Sequence, residues 1–234
     1  RSGQVYSERE IHKELLERQI KRNDQNLGEL IETYKNISYS HRREGMDIYQ
    51  SLSPLKKALQ AIDASEEKNL FLKLEVLLDL GDTYNSFGRA ESAKKAYQDC
   101  WGLIDEDESM GPVIKERFSK PIRVRNILIP PKYPIKQKDN DNQTYTSGFI
   151  AIQYSINVNG NTDNIEIIES EPQKLIDKVA ISAIRNTVYR PVYIDAIPQE
   201  STGMSVRHTF SYPLKNTEEP EPVIEDKPLD NPIA

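Results

Sequence analysis

The sequence GFIAIQYSINVNGNTDNIEIIES, residues 148–170, decides the fold of the C-terminal half of the chain. Apolar side chains occupy the even positions from 150 to 158, while positions 153, 155 and 157 are polar, which is typical of a half-buried strand. Asn159-Gly160 then supplies a tight turn, and Ile165 and Ile167 begin a return strand. The stretch therefore predicts a β-hairpin.

The residues after the hairpin predict one helix and one further strand. Apolar side chains recur at helical spacing between Leu175 and Ile184, and Tyr189-Arg190-Pro191 ends this helix. From Met204 to Tyr212 the period returns to two, with the even positions on one face. A single helix covers one face of a sheet, so the order strand-strand-helix-strand predicts a two-layer α+β module over residues 137–213.

Many residues of this module keep the order and spacing of a known protein family. They are Gly148, Tyr154, Val158-Asn159-Gly160, Glu169-Ser170, Leu175-Ile176-Asp177, Tyr189-Arg190-Pro191, Val206 and Phe210, with Lys132-Tyr133-Pro134 as a lead-in. With these residues the chain resembles the C-terminal domain of the TonB family over about residues 130–213. It departs from the family at Thr187-Val188, where members often carry a tryptophan.

The resemblance implies a function that needs no catalysis. TonB proteins are energy transducers of Gram-negative cells, anchored in the inner membrane, working with ExbB and ExbD and extending through the periplasm. Their C-terminal domain captures a short segment of an outer-membrane receptor by pairing it with an open sheet edge. Unpaired N–H and C=O groups of an edge strand suit such capture, because main-chain pairing needs little sequence from the guest.

The last strand is the candidate edge that would bind the partner. Its residues are Met204, Ser205, Val206, Arg207, His208, Thr209 and Phe210. Polar side chains at alternate positions would keep a vacant edge soluble. Two other arrangements stay open: closure of this edge by a linker strand near 122–129, and closure by a second copy of the chain in a homodimer.

Residues 1–111 predict a helical domain. In LEVLLDLGDTYNSFGRAESAKKAYQDCWGLID, residues 74–105, Gly81 and Ala93 are small where two antiparallel helices must approach closely, and Tyr84 and Tyr97 fill the adjoining space. This stretch resembles the tetratricopeptide repeat. The earlier helices, predicted at 26–38, 44–52 and 54–64 with Pro54 at a helix start, are either eroded repeats or an ordinary bundle.

Repeat geometry predicts a binding groove along the first helix of this pair. Its lining would be acidic and polar, which suits a basic or polar partner segment. The predicted lining residues are Glu75, Leu78, Asp82, Asn85 and Ser86.

Charge divides the chain and limits its partners. The net charge is −6, which disfavours a nucleic-acid binder. Residues 112–136 are basic and rich in proline, and we expect a semi-rigid connector with a short strand near 122–129. They are either a strip for an acidic or lipid partner or a solvated link. Residues 214–234 are acidic and predict a disordered tail, either solvated or folded back on the basic connector.

Neither an active site nor a metal site is predicted, and no cofactor is expected. The histidines are scattered, nucleophile and phosphate-loop motifs are missing from the sequence, and Cys100 is the sole cysteine and a core candidate. No stretch is apolar enough to span a membrane. Because the chain starts at Arg1, we expect an anchor or an export signal upstream.

The sequence thus predicts an α plus α+β protein and two alternative functions. The first is a periplasmic TonB-like interaction protein that grips a receptor peptide and passes force from an inner-membrane complex of the ExbB/ExbD type. The second is a soluble periplasmic scaffold, in which the sheet module is structural or dimerising and the helical repeats bind.

Overall fold

The computed structural model describes residues 2–21, 26–45, 47–132 and 144–214, with side chains from residue 8 onward. The predicted acidic tail from residue 215 onward and the Tyr133-Pro134 part of the lead-in lie outside these residues.

Helices make up the described N-terminal part. Each of the four central helices has seventeen residues, and neighbouring helices are joined by short loops. Asparagine or aspartate side chains cap three of them by accepting a backbone N–H of the first turn. The helices are α1 (Ser2–Ile20), α2 (Leu27–Arg43), α3 (Ile48–Ala64), α4 (Leu70–Ser86), α5 (Ala90–Glu106) and α6 (Met110–Arg117).

Two prolines lie inside helices, although each was predicted to mark a boundary between segments. Pro54 was predicted at a helix start, yet α3 begins earlier, at Ile48, behind the Asp47 cap. Pro112 was assigned to the connector, yet it lies in the first turn of α6, where an N–H has no intrahelical acceptor to lose. The predicted boundary at 111 therefore falls within a helix, and the helical part extends to Arg117.

The C-terminal part is a small antiparallel sheet covered by one helix. Its main sheet has the order β3-β2-β7, and two further pairs, β1 with β4 and β5 with β6, lie beside it. The elements are β1 (Ile122–Arg125), β2 (Tyr145–Ile156), β3 (Thr162–Glu171), α7 (Asp177–Arg185), β4 (Val188–Arg190), β5 (Val192–Ile194), β6 (Ile197–Gln199) and β7 (Ser201–Pro213).

The predicted fold class, α plus α+β, is confirmed. Strands β2, β3 and β7 and helix α7 follow the predicted order strand-strand-helix-strand, and the β4–β6 segment is an addition that the periodicity did not reveal. The helical hairpins agree with a repeat-like arrangement, but the repeat assignment itself stays a prediction.

Two apolar cores lie on either side of the junction between the parts. The helical core takes in Phe118, which follows α6, and Tyr193 of β5. The sheet core lies between the inner face of β2 and β7 and helix α7, with Ile150, Ile152, Ala180 and Phe210 buried. Tyr193 comes from the sheet module but is buried in the helical core, so the two parts share packing.

Candidate functional site

The predicted binding strand lies at one side of the main sheet. All of β7 from Met204 to Pro213 pairs with β2, for example Gln153 opposite Ser205 and Phe149 opposite Thr209. Val206 and Phe210 face the core, while Ser205, Arg207 and Thr209 are exposed, as the alternation predicted. Because β7 is the terminal strand of the order β3-β2-β7, its second edge faces away from β2.

A short segment of the connector covers one end of that second edge. The Ser211 N–H donates to the Pro131 carbonyl at 2.9 Å, and Lys132 bridges to Ser211 in parallel. The His208 Nε2 atom lies 3.1 Å from the Pro130 carbonyl. Strand β1 pairs with β4 and not with β7, so the linker strand near 122–129 does not close this edge.

Alternation along β7 identifies which backbone groups point outward. The N–H and C=O of one strand residue point to the same edge of the strand, and those of the next residue point to the opposite edge. The N–H of Ser211 points away from β2, so those of Thr209, Arg207 and Ser205 do too. Among the described residues, no strand pairs with this outward edge from 203 to 208.

On the exposed face of the sheet, the Arg207 side chain of β7 contacts side chains of the other two strands. The Arg207 guanidinium lies 3.6 Å from the centroid of the Phe149 ring on β2, and its Nη1 is 3.7 Å from Glu169 Oε2 on β3. These contacts join all three strands across the solvent face. The Arg207 and Glu169 side chains are both exposed, so their ion pair contributes little to stability.

The predicted groove residues do not line an open groove. Leu78 is a core residue, and Asp82, Asn85 and Ser86 are buried against the sheet module. Glu75 is bound by Arg117 Nη2 at 2.8 Å and by Lys35 Nζ at 3.8 Å. The chain's own C-terminal module packs against this face of α4, and the binding of a partner by these residues stays a prediction.

Asp82 and Arg190 form the centre of this interface. Arg190 Nε donates to Asp82 Oδ1 at 2.9 Å and Arg190 Nη2 to Asp82 Oδ2 at 2.7 Å, a bidentate pair across 108 positions of the sequence. Tyr97 Oη donates to the same Oδ1 at 2.9 Å. The Arg190 guanidinium also lies over the Tyr97 and Phe118 rings, at 5.9 and 5.7 Å from their centroids.

Burial and pairing change the acidity of these groups. Burial alone would lower the pKa of Arg190, but the Asp82 carboxylate and its hydrogen bonds raise that pKa above its ordinary value. Burial raises the pKa of Tyr97, and the Asp82 charge raises it further. Burial likewise raises the pKa of the Cys100 thiol, as for an inert core cysteine. The Arg190 guanidinium and the Tyr97 hydroxyl therefore keep their protons across neutral pH.

Tyr189 ties three elements together beside this ion pair. Its carbonyl accepts from Asn85 Nδ2 at 2.7 Å, and its N–H donates to the Gly160 carbonyl at 2.8 Å. Its hydroxyl lies 2.8 Å from that of Tyr154 and accepts from Arg123 Nη2 at 3.2 Å. The β2–β3 turn, strand β1 and helix α4 thus meet at one residue of the Tyr-Arg-Pro element.

Gly160 has to be a glycine at this junction. Its φ is +80°, and a Cβ there would collide with the Tyr189 carbonyl oxygen and approach Asn85 Nδ2 to 2.7 Å. The Asn-Gly turn predicted from the sequence therefore also packs against Tyr189 of β4 and Asn85 of α4. Alternation and turn chemistry predicted the hairpin, but no local pattern indicated what the turn would contact.

The described residues contain neither a cluster suited to a metal ion nor a helix suited to span a membrane. No group of three or more His, Cys, Asp or Glu side chains there is arranged to hold a metal ion. Within the same part of the chain, no helix combines the length and the apolar character needed to cross a bilayer.

Comparison with known proteins places a family match on the sheet module. Residues 129–212 match the sequence model of the family described as Gram-negative bacterial TonB protein C-terminal. The match covers just over a third of the chain and confirms the resemblance found from the residues at 130–213. This family is non-enzymatic and is associated with transport. The sequence has no match among the curated proteins.

Among solved structures, one of those that match is similar at a low level. It is described as the "Crystal structure of BtubC (BKLC) from P. vanneervenii", with 18% identity and a TM-score of 0.39. The alignment covers 50% of this chain and 45% of that one, so the chain spans less than half the length of this relative. At that TM-score the likeness does not establish a common fold.

Proposed function

We propose that the sheet module binds an extended peptide segment by adding it as a fourth strand along the outward edge of β7. The observation that carries this proposal is the row of outward N–H groups at Ser205, Arg207 and Thr209, which have no strand partner among the described residues. The TonB C-terminal match supports it, since capture of a peptide at a sheet edge fits that family.

The proposed partner is the periplasm-facing segment of an outer-membrane receptor. In this proposal the protein works in the periplasm of a Gram-negative cell, and an inner-membrane complex of the ExbB/ExbD type acts on it through a segment preceding Arg1. The ion pair between Asp82 and Arg190 supports transmission of force, because it joins the helical part to the sheet module rigidly.

Proline substitution tests the edge without disturbing the sheet. Ser205→Pro removes one outward N–H but no bond to β2, a position where an edge strand tolerates proline. Ser205→Ala keeps the N–H and is the matched control. We expect titration of the full chain with a receptor-derived peptide to shift and protect the backbone amides of residues 203–209. The proline variant should lose binding and the alanine variant should retain it.

Two results would contradict this proposal. One is a lack of amide shifts at saturating peptide in the unsubstituted chain. The other is equal binding by Ser205→Pro and Ser205→Ala, with circular dichroism showing that both are folded, since capture would then not use this edge.

The second candidate function is a periplasmic scaffold in which the sheet module is structural. The burial of Asp82, Asn85 and Ser86 beneath that module favours a structural role for it. The same burial covers part of the helix face through which repeats were expected to bind. Peptide shifts confined to the helices, with β7 unchanged, would favour the scaffold.

A further inference from the structure

A cavity of about 660 Å³ lies where the C-terminal ends of α2 and α4 meet strand β1. Four arginines face it from two separate elements, and the remaining wall is a mixture of aromatic, apolar and small polar residues. The arginines are Arg42, Arg43, Arg123 and Arg125, and the other lining residues include Tyr39, Ser86, Phe87, Val124 and Asn126. None of these belongs to β7, so this arginine cavity is separate from the proposed edge.

Three of these arginines are held by neutral groups. Arg42 donates through Nη1 to Thr83 Oγ1 at 3.5 Å. Arg123 donates to the Tyr189 hydroxyl and, through Nη1, to Asn126 Oδ1 at 3.4 Å. Arg125 donates to the carbonyls of Ser86 at 2.8 Å and Asn186 at 3.1 Å. In the described part of the chain, no carboxylate comes within 4.0 Å of Arg42, Arg123 or Arg125. Their positive charge is therefore oriented, and that of Arg42 interacts with the Asp79 carboxylate from beyond ion-pair distance.

The ion pairs of the fourth arginine and of the nearest carboxylates leave the cavity with a net positive charge. Arg43 Nη1 lies 3.7 Å from Glu8 Oε2, a half-exposed pair that water screens. Asp79, whose carboxyl also interacts electrostatically with Arg42, forms an ion pair with Lys35 Nζ at 3.8 Å. Each guanidinium carries five N–H donors, and the bonds named here leave several of them free for a ligand. The cavity can therefore bind an anion with several charge-assisted hydrogen bonds.

The shape favours an extended ligand over a compact ion. Strand β1 is the terminal strand of its pair with β4, and Arg123 and Arg125 lie two residues apart on its exposed face. The register of β1 against β4 shifts between Arg123 and Arg125, so these two side chains do not keep a regular strand spacing. Together with Arg42 and Arg43 they distribute four positive charges around a cavity of about 660 Å³, which is larger than one compact ion fills. Tyr39 is half exposed, with Arg42 and Arg43 over its ring at 5.3 and 5.6 Å, and offers an apolar wall.

We propose that the arginine cavity binds an extended acidic peptide segment of a partner protein, with carboxylates paired to Arg123 and Arg125 and a further carboxylate to the Arg42–Arg43 pair. This site is independent of the β7 edge, so either can exist without the other. The overall negative charge of the chain makes such a local basic surface selective, since an acidic partner is repelled elsewhere.

A labelled peptide of alternating glutamate and threonine, six residues long, is the probe. We expect fluorescence anisotropy with the full chain to show binding that weakens as salt is raised. The Arg42→Gln/Arg43→Gln variant should weaken binding about tenfold, because charge-assisted hydrogen bonds are lost. Arg185→Gln removes an exposed arginine outside the cavity and should change affinity less than about twofold.

Arg123→Gln provides an independent test if the Arg42→Gln/Arg43→Gln variant proves unstable. Arg123→Gln leaves α2 intact, and we expect amide shifts at residues 123–126 on peptide addition to disappear in it. Absence of binding at low salt would overturn the proposal, as would equal losses in the cavity variants and Arg185→Gln. Binding of inorganic pyrophosphate as strong as that of the peptide would overturn the peptide as occupant and identify a site for small phosphate ions.

Discussion

At the scale of single residues, Gly81 sets the distance between α4 and α5. A Cβ on Gly81 would collide with the Tyr97 ring, reaching 2.9 Å from Cζ. The ring cannot retreat, because Tyr97 is fully buried and its hydroxyl is bound to Asp82. The sequence predicted Gly81 at a close approach of two helices and Tyr97 in the adjoining space, and the structure places glycine and ring in contact.

We expect Gly81→Ala to destabilise the protein by about 1–3 kcal/mol, despite the helix-favouring nature of alanine. Gly102→Ala is the matched control, since Gly102 lies in the interior of α5 with nothing within 4 Å of its would-be Cβ. That control should stabilise by about 0.5–1 kcal/mol. Urea denaturation of both variants measures the difference, and equal effects would contradict the packing explanation.

A second residue, Asp79, makes stability depend on pH. Burial raises the pKa of this carboxyl to about 6, against the lowering influence of Lys35. The folded state then holds the proton more tightly than the unfolded chain does. This stabilising contribution is fully present below about pH 3.8 and is lost as pH rises through about 6.

Asp79→Asn should therefore stabilise the protein at pH 7.5 by about 1 kcal/mol, a figure reduced for partial solvent exposure. The gain should vanish below pH 4, where the native carboxyl is neutral. Asp63→Asn is the control, since Asp63 is an exposed partner of Lys73 at 3.5 Å and should change stability little at either pH. Thermal melts at the two pH values would contradict this assignment if the Asp79→Asn gain were the same at both.

At the scale of elements, helix α4 begins with a well-formed cap and its neighbour α5 does not. Asn69 Oδ1 accepts from the Leu72 N–H at 3.0 Å, whereas Arg89 at the start of α5 makes no side-chain cap bond. We expect Asn69→Ala to cost about 1 kcal/mol and Arg89→Ala to cost little. Chemical denaturation compares the two, and a larger loss for Arg89→Ala would contradict the capping account.

Periodicity predicted most elements and failed at particular prolines. Alternation at 150–158 and 204–212 fixed β2 and β7, and helical spacing fixed α5 and α7, because one face of each is buried. Helix α4 is buried on most of its surface and was predicted from the repeat resemblance instead. Pro54 and Pro112 were interpreted wrongly for different reasons. Pro112 lies in the first turn of α6, where proline is tolerated, whereas Pro54 lies inside α3 and is buried there, so packing holds the helix around it. Strands β4, β5 and β6 have three residues each, too few to show a period.

At the scale of the whole molecule, the interface between the two parts had no signal in the sequence. Asp82 and Arg190 were both singled out, one as a groove residue and one within the Tyr-Arg-Pro element, yet their pairing depends on contacts across 108 positions. The edge on β7 was predictable because it follows from strand order. The arginine cavity was not, since Arg42 and Arg125 meet only when α2, α4 and β1 assemble.

The Asp82–Arg190 pair should make both parts unfold together. Both side chains are about nine-tenths buried, so removing one partner leaves an unpaired charge in the interior. Arg190→Met should therefore cost about 3–5 kcal/mol. The double variant Asp82→Asn/Arg190→Met should cost less than Arg190→Met alone, because no buried charge remains.

Two probes distinguish loss of coupling from general loss of stability. Trp101 is the sole tryptophan and reports on the helical core, while amide exchange of residues 150–156 reports on the sheet core. In the unsubstituted chain the two should give one transition in denaturant, since the parts share the packing of Tyr193. In Arg190→Met we expect the sheet core to open at lower denaturant than Trp101 reports. Coincident transitions in that variant would mean that the aromatic contacts alone couple the two parts.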